Sequence, residues 1–136
     1  MANTLKLEIV TPDAVVFSED VEMVTLPGIE GEMGVYPGHV PVMTQILPGE
    51  LTVRRMAREE LLAVGEGFVE ITGERVSVLT DMAIKAEDIN EAAVEEARRR
   101  AEARLKEKLT DDEVAVVNAS LVRAATQLQV KRRQRR

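Results

Sequence analysis

All eight glycines and all five prolines of this 136-residue chain lie before residue 74. Both residue types interrupt helices and mark turns, so the chain is constrained to two regimes. The first half must turn often, and the rest can run as uninterrupted helix. Turn signals stand at Thr11-Pro12-Asp13, Pro27-Gly28, Pro37-Gly38, Pro48-Gly49, Gly65-Glu66-Gly67 and Thr72-Gly73. Between them, Leu5, Leu7 and Ile9 alternate with Lys6 and Glu8, the period of a strand with one buried face. Short, mostly β-branched runs follow at 15–17, 21–26, 51–53, 61–64, 68–71 and 76–79. Strands this short, with no helical stretch among them, predict a closed antiparallel sandwich or barrel up to about residue 85.

From Glu87 onward Ala, Glu, Arg and Leu dominate. Ile89, Ala93, Ala97, Ala101, Leu105 and Leu109 recur every fourth residue and predict one apolar ridge on a helix. Asn90 suits its N-cap, and Glu91 and Glu95 suit the positive end of its dipole. Thr110-Asp111-Asp112-Glu113 has the form of a capping box and predicts the start of a second helix. Val114, Val117, Leu121, Ala124 and Leu128 form its three-four spaced seam. The chain therefore reads as α+β, an antiparallel β-sandwich over 1–86 followed by an αα-hairpin over 87–136. The hairpin's first helix offers mostly alanine, and a buried methyl contributes only about 0.8 kcal/mol against roughly 1.5–3 for a buried Leu or Val. So thin a seam predicts an element that depends on the sandwich or on a partner, and that moves.

The side-chain inventory excludes most chemistry. Aromatics are 2% of the chain, namely Phe17, Tyr36 and Phe68 without Trp, which argues against base-stacking nucleic-acid platforms. There is no Cys and a single histidine, His39, so thiolate zinc sites, thiol nucleophiles and two-imidazole metal sites are out. The phosphate-loop pattern is absent. Gly28, Gly31 and Gly34 are spaced as turn glycines, with positive φ expected at each. His39, flanked by turn formers, reads as a loop histidine bonded to nearby backbone. Asp81, Glu87 and Asp88 have no spacing that demands a cation. No catalytic or metal-ligating residue is assigned, and a binding or coupling role is favoured over an enzymatic one.

Charge is unevenly placed. The chain carries −6 overall, while its last six residues, Lys131 to Arg136, carry +5, leaving −11 on everything before them. An acidic body does not wrap nucleic acid. The basic tip is expected to be a solvated terminus able to touch an acidic partner. The apolar runs are too short for a membrane span and MANTLKLEIV lacks a signal-peptide pattern, so a soluble, cytosolic-side chain is expected.

The stretch from Glu30 to Pro41, EGEMGVYPGHVP, together with Val10-Thr11-Pro12, Asp20-Val21-Glu22, Pro48-Gly49, Gly65-Glu66-Gly67-Phe68-Val69-Glu70 and Ala86-Glu87-Asp88-Ile89, resembles the ε subunit family of F-type ATP synthases, called δ in mitochondria. The resemblance runs the whole length in the same order. It implies about ten strands in the sandwich and a non-catalytic place in the rotor's central stalk, peripheral to the membrane. The implied partners are the γ subunit, the ring of c subunits and the α/β catalytic headpiece, with no nucleic acid. On this resemblance Glu30, Gly31, Glu32 and His39 correspond to the ring-facing loop. The hairpin corresponds to an inhibitor of ATP hydrolysis that extends into the headpiece, with Arg123, Lys131, Arg132 and Arg133 as its contacts.

Some bacterial relatives bind ATP through Ile/Leu-Asp-x-x-Arg-Ala at the hairpin. Here Ile89 matches, Asn90 stands for Asp, Ala93 for Arg and Val94 for Ala. Arg123 is retained and Gln127 stands where another arginine would be. Each lost guanidinium removes charge-assisted bonds of about 1.5–3 kcal/mol, so ATP binding is expected to be weak or absent and no cofactor is assigned. The alternatives are an ATP-sensing domain whose hairpin clamps the nucleotide, and a non-catalytic sandwich adaptor of another complex. The expected location is the cytoplasmic face of a bacterial plasma membrane, with a plastid thylakoid as the other setting.

Overall fold

The computed structural model describes residues 3–135; Arg136, counted in the basic tip, lies outside them. The strands are β1 (Leu5–Val10), β2 (Val15–Val21), β3 (Met23–Gly28), β4 (Gly31–Val35), β5 (Val42–Ile46), β6 (Gly49–Arg55), β7 (Arg58–Val64), β8 (Gly67–Ile71), β9 (Arg75–Thr80) and β10 (Ala83–Lys85). A 3₁₀ turn (Ala86–Asp88) leads to α1 (Glu91–Arg104) and α2 (Asp111–Gln134). The fold is the α+β arrangement expected, a ten-stranded sandwich followed by two helices.

The strands form one hydrogen-bonded path, β10-β7-β6-β3-β5-β8-β9-β1-β2, with β4 on β3. The path rolls over so that its far parts meet. Arg55 of β6 reaches Glu19 of β2 at 2.6 Å, and Arg55 and Lys85 lie 5.6 and 5.8 Å from the Phe17 ring centroid, in cation–π range. Arg55 holds the Glu19 carboxyl below its ordinary value through their hydrogen bond. Leu7, Ile9, Leu26, Ile46, Leu51, Leu62 and Ile71 fill the enclosed core, their alternation along each strand setting which face turns in.

Three features depart from the sequence reading. The pairing of β1 with β9 is parallel, whereas all pairings were expected antiparallel; joining the first strand to a late one leaves no local mark in sequence. Of Gly28, Gly31 and Gly34, only Gly31 has positive φ, at 121°. Gly28 is held to glycine by close approach, since a Cβ there would come within 2.8 Å of the Gly31 carbonyl oxygen. Left-handed backbone falls also on Gly38, at φ 86°, and on two residues that are not glycine, Met56 and Ala57, at φ 52° and 62°. The latter two form the two-residue turn between paired Arg55 and Arg58, a geometry that favours Asn-Gly and costs other residues about 1–2 kcal/mol each.

Both predicted helix starts are present. The Asn90 side chain accepts from the Ala93 N–H at 3.1 Å, and Thr110 and Glu113 make the reciprocal capping box. The Thr110 N–H holds the Glu113 carboxyl below its ordinary value. The expected ridge on the first helix is corrected in two ways. α1 stops at Arg104, so Leu105 and Leu109 belong to the link. Within it Ala93 and Ala97 are exposed, no residue is buried, and the half-buried side is Glu91, Val94, Glu95, Arg98 and Ala101. Alanines fit either side of a helix, so their spacing does not choose the inner one. The α2 seam is found: Val117, Ala124 and Leu128 are buried, Val114 and Leu121 half-buried.

Candidate functional site

The hairpin meets the sandwich through a small second core, separate from the first. Ala63, Ala86, Ile89 and Val130 are buried there, with Leu61, Met82, Ile84 and Val94 packed around them. The sandwich's share follows from the run Leu61-Leu62-Ala63-Val64 in β7. Leu62 and Val64 turn into the main core while Leu61 and Ala63 face outward, so a strand with two covered faces shows a continuous apolar run. β10 adds Ile84 beside Ala63. α2 contributes a stripe that sequence reading missed, Thr126 and Val130, four apart and on a different side from the Ala124–Leu128 seam. Thr126 satisfies its hydroxyl by donating to the Val122 carbonyl at 2.8 Å.

The basic tip was expected to be a solvated terminus; the structure corrects this. α2 continues to Gln134, and its cations are engaged. Lys131 Nζ donates to the Ala86 carbonyl at 3.0 Å. Arg132 reaches Glu95 at 2.7 Å and Glu91 at 3.4 Å, and Arg135 reaches Glu91 at 2.9 Å. Arg133 Nε donates to both oxygens of Glu50 at 2.7 and 2.8 Å, which raises its pKa further. Arg98 foremost, with Arg132 behind it, holds the Glu95 carboxyl below its ordinary value. The missed signal was complementarity: the acidic first turn of α1 is placed to receive the basic last turn of α2.

Of the residues matched to the nucleotide motif, three are engaged in the fold and one is exposed. Ile89 is buried in the second core, Asn90 is occupied as N-cap, and Ala93 is exposed. Arg123 is half-buried, its Nη2 donating to Ser120 Oγ at 3.2 Å. The four loop residues separate into two groups. Glu30, Gly31 and Glu32 occupy the exposed β3–β4 tip, while His39 closes the Tyr36–His39 turn beyond the other end of β4. A five-residue strand is about 17 Å long. His39 donates from Nδ1 to the Val40 carbonyl at 2.7 Å, and its turn is tied to the β8–β9 turn by the Gly38 N–H to the Gly73 carbonyl.

On the sandwich's outer face the strand register aligns Phe68, Leu79, Val10 and Val15 in one row across β8, β9, β1 and β2. Phe68, Leu79 and Val15 are 58–60% exposed. The sequence signal was phase: Val69 and Ile71, like Val76 and Val78, point inward, which leaves Phe68 and Leu79 as apolar residues on the solvent phase. Among the described residues no helix is long and apolar enough to cross a membrane.

The family model for the β-sandwich domain of the ATP synthase Delta/Epsilon chain matches residues 4–86, and that for its long α-helix domain matches 87–132. An ATP synthase epsilon chain of Dehalococcoides mccartyi is 44% identical over 97% of this chain and 95% of its own length. The chain belongs to the ATP synthase Delta/Epsilon family. A second family member, from Laribacter hongkongensis, is 40% identical over 93% of this chain and 91% of its own. Among solved structures, a chain of the Euglena gracilis mitochondrial ATP synthase, an OSCP/F1/c-ring assembly, superposes with TM-score 0.66 at 22% identity. That match covers 99% of this chain and 81% of the other, and it carries the family fold through low sequence identity.

Proposed function

We propose that this chain is a non-catalytic subunit of the central stalk of an F-type ATP synthase. It couples ion flow through the c ring to ATP synthesis, and its hairpin restrains ATP hydrolysis. The observation that carries this reading is family membership over residues 4–132 joined to a large enclosed sandwich core and a hairpin seat of only four buried residues. Residues 1–86 form the rotor-binding part, with the exposed Phe68–Leu79–Val15 row as the surface offered to γ. The ring-facing residues are Glu30, Gly31, Glu32 and His39. Because the tip and the histidine stand at opposite ends of β4, charge reversal at Glu32 and at His39 is made separately and together. Ring attachment that survives all three removes that assignment.

Residues 87–136 form the regulatory element. When extended it presents Arg123, Lys131, Arg132 and Arg133 to acidic surfaces of the headpiece. ATP binding at the hairpin is weak or absent, a reading supported by the engaged Asn90 side chain and the missing guanidinium at Ala93. Titration calorimetry giving micromolar affinity overturns it. The complex sits with this subunit at the cytoplasmic face of a bacterial plasma membrane, held there through its partners. The deciding experiment is hydrolysis by the assembled complex with the full chain and with a chain truncated before Asn90. Truncation is expected to raise hydrolysis and leave synthesis largely intact, and the subunit is expected to co-purify with γ. Unchanged hydrolysis contradicts the inhibitory role.

A further inference from the structure

The anchoring contacts of α2 on the sandwich and the 3₁₀ turn, at Val130, Lys131 and Arg133, lie in the last two turns of the helix. Val130 supplies the apolar anchor in the second core. Arg133, one turn further along the same side of the helix, supplies the ionic one. Its bond to Glu50 is the one ion pair among the described residues that joins either helix to the sandwich. Every other ion pair of the helices stays within the hairpin, at Arg98, Arg100, Arg104, Arg132 and Arg135. The charge surrounding Arg133 is mixed. Glu59 and Glu32 attract it at longer range, and Arg58 and Lys85 line the same hollow of about 440 Å³ at the foot of the helix.

The geometry points to a dual-use clasp: the Arg133–Glu50 pair holds the hairpin on the sandwich, and the arginine it neutralises is freed for an acidic partner surface only when the clasp opens. This inference rests on the proposed mobile hairpin and names how that hairpin is regulated. Two physical facts make the clasp a bias rather than a lock. The side chains are 54% and 23% exposed, so the pair is screened by salt. An exposed ion pair of this kind shifts an equilibrium by only about 1.5- to 5-fold, small enough for a competing acidic surface to reverse. Release also separates Lys131 from the Ala86 carbonyl, so Lys131 and Arg133 become available together on one helix end. The two partners of the clasp therefore have unequal roles. Glu50 acts only in the seated state, whereas Arg133 acts in both.

That inequality is the test. The chain has no cysteine, so Asp13→Cys and Gln129→Cys, both at exposed positions, accept spin labels that report the sandwich-to-α2 distance in the full-length chain. Glu50→Gln and Arg133→Gln are each expected to raise the released-to-seated ratio about 1.5- to 5-fold. The double Gln variant should add nothing further, and the exchange Glu50→Arg with Arg133→Glu should restore most of the seated population. Raising salt should release the wild type and leave the Gln variants unmoved. In the assembled complex Glu50→Gln is expected to deepen inhibition of hydrolysis, and Arg133→Gln to leave it at or below wild type. Single variants indistinguishable from wild type while a released population is measurable, or additive single effects, overturn the clasp and leave the mobile hairpin standing. A single unchanging distance at every salt, with hydrolysis unaffected by truncation before Asn90, removes the mobile hairpin and the clasp with it.

Discussion

The main core of the sandwich encloses seventeen buried apolar side chains, from Leu5 to Val78, while the seat of the hairpin buries four, of which two are alanines. The sandwich side chains come from strands far apart in sequence, so losing one loosens contacts throughout the sheet. At the seat, Val130 is the single buried apolar residue that the helices contribute, with the polar Thr126 one turn before it, and α1 buries none. Cooperativity therefore ends at the seat of the hairpin. Burial contributes about 1.5–3 kcal/mol for each large side chain, so the sandwich holds one state firmly. The seat, with one buried valine from the helices and one exposed ion pair to the sandwich, balances against modest competition.

The contrast is broken most directly at its strong end. Leu51→Ala, at a fully buried position, is expected to cost about 2–5 kcal/mol, read as a lowered denaturant midpoint of the whole chain. Val130→Ala removes two methylene-sized groups from the seat and is expected to cost about 1.5 kcal/mol. Amide exchange in α2 should then accelerate roughly tenfold while exchange at Leu7 and Leu51 stays unchanged. A lowered global midpoint with no selective change in α2 would merge the two regions into one unit. Replacing the strained turn by Met56→Asn with Ala57→Gly is expected to stabilise the sandwich by about 1 kcal/mol and leave hairpin exchange alone. The smallest effect is on acidification. Glu95 and Glu113 in the hairpin are both held below their ordinary value of 4.5. Their contribution is therefore complete above that value and is lost as pH falls through the depressed range. Titration from pH 6 to 3 should weaken α1 and α2 amide protection before that of the sandwich, where the one such carboxylate is Glu19.

Local rules were legible wherever one residue decides a local geometry. The division of the chain near residue 86, the Asn90 cap, the Thr110–Glu113 box and the α2 seam each follow from side chains acting within a few positions of themselves. β4 and β5 were hidden because Gly31, Gly34, Pro37 and Gly38 gave that segment the look of a turn. β10 was hidden because it is three residues long. The parallel β1–β9 pair is a decision of topology, absent from either strand. The inner side of α1 is settled by what lies opposite: Arg132 selects Glu91 and Glu95, so Val94 and Arg98 turn inward and the alanines at 93 and 97 turn out. The placement of the residues matched by family pattern was not legible, since Glu32 and His39, seven positions apart in sequence, are held apart by a whole strand.

The two helices are held to the sandwich far less firmly than the sandwich is held to itself. Amide hydrogen exchange on the full-length chain, alone and in the assembled complex, measures this directly. In the isolated chain α1 and α2 are expected to exchange at least a hundredfold faster than Leu7, Leu51 and Ile71, with α2 protection changing on assembly. Helix amides as slow as those core strands in both states contradict it.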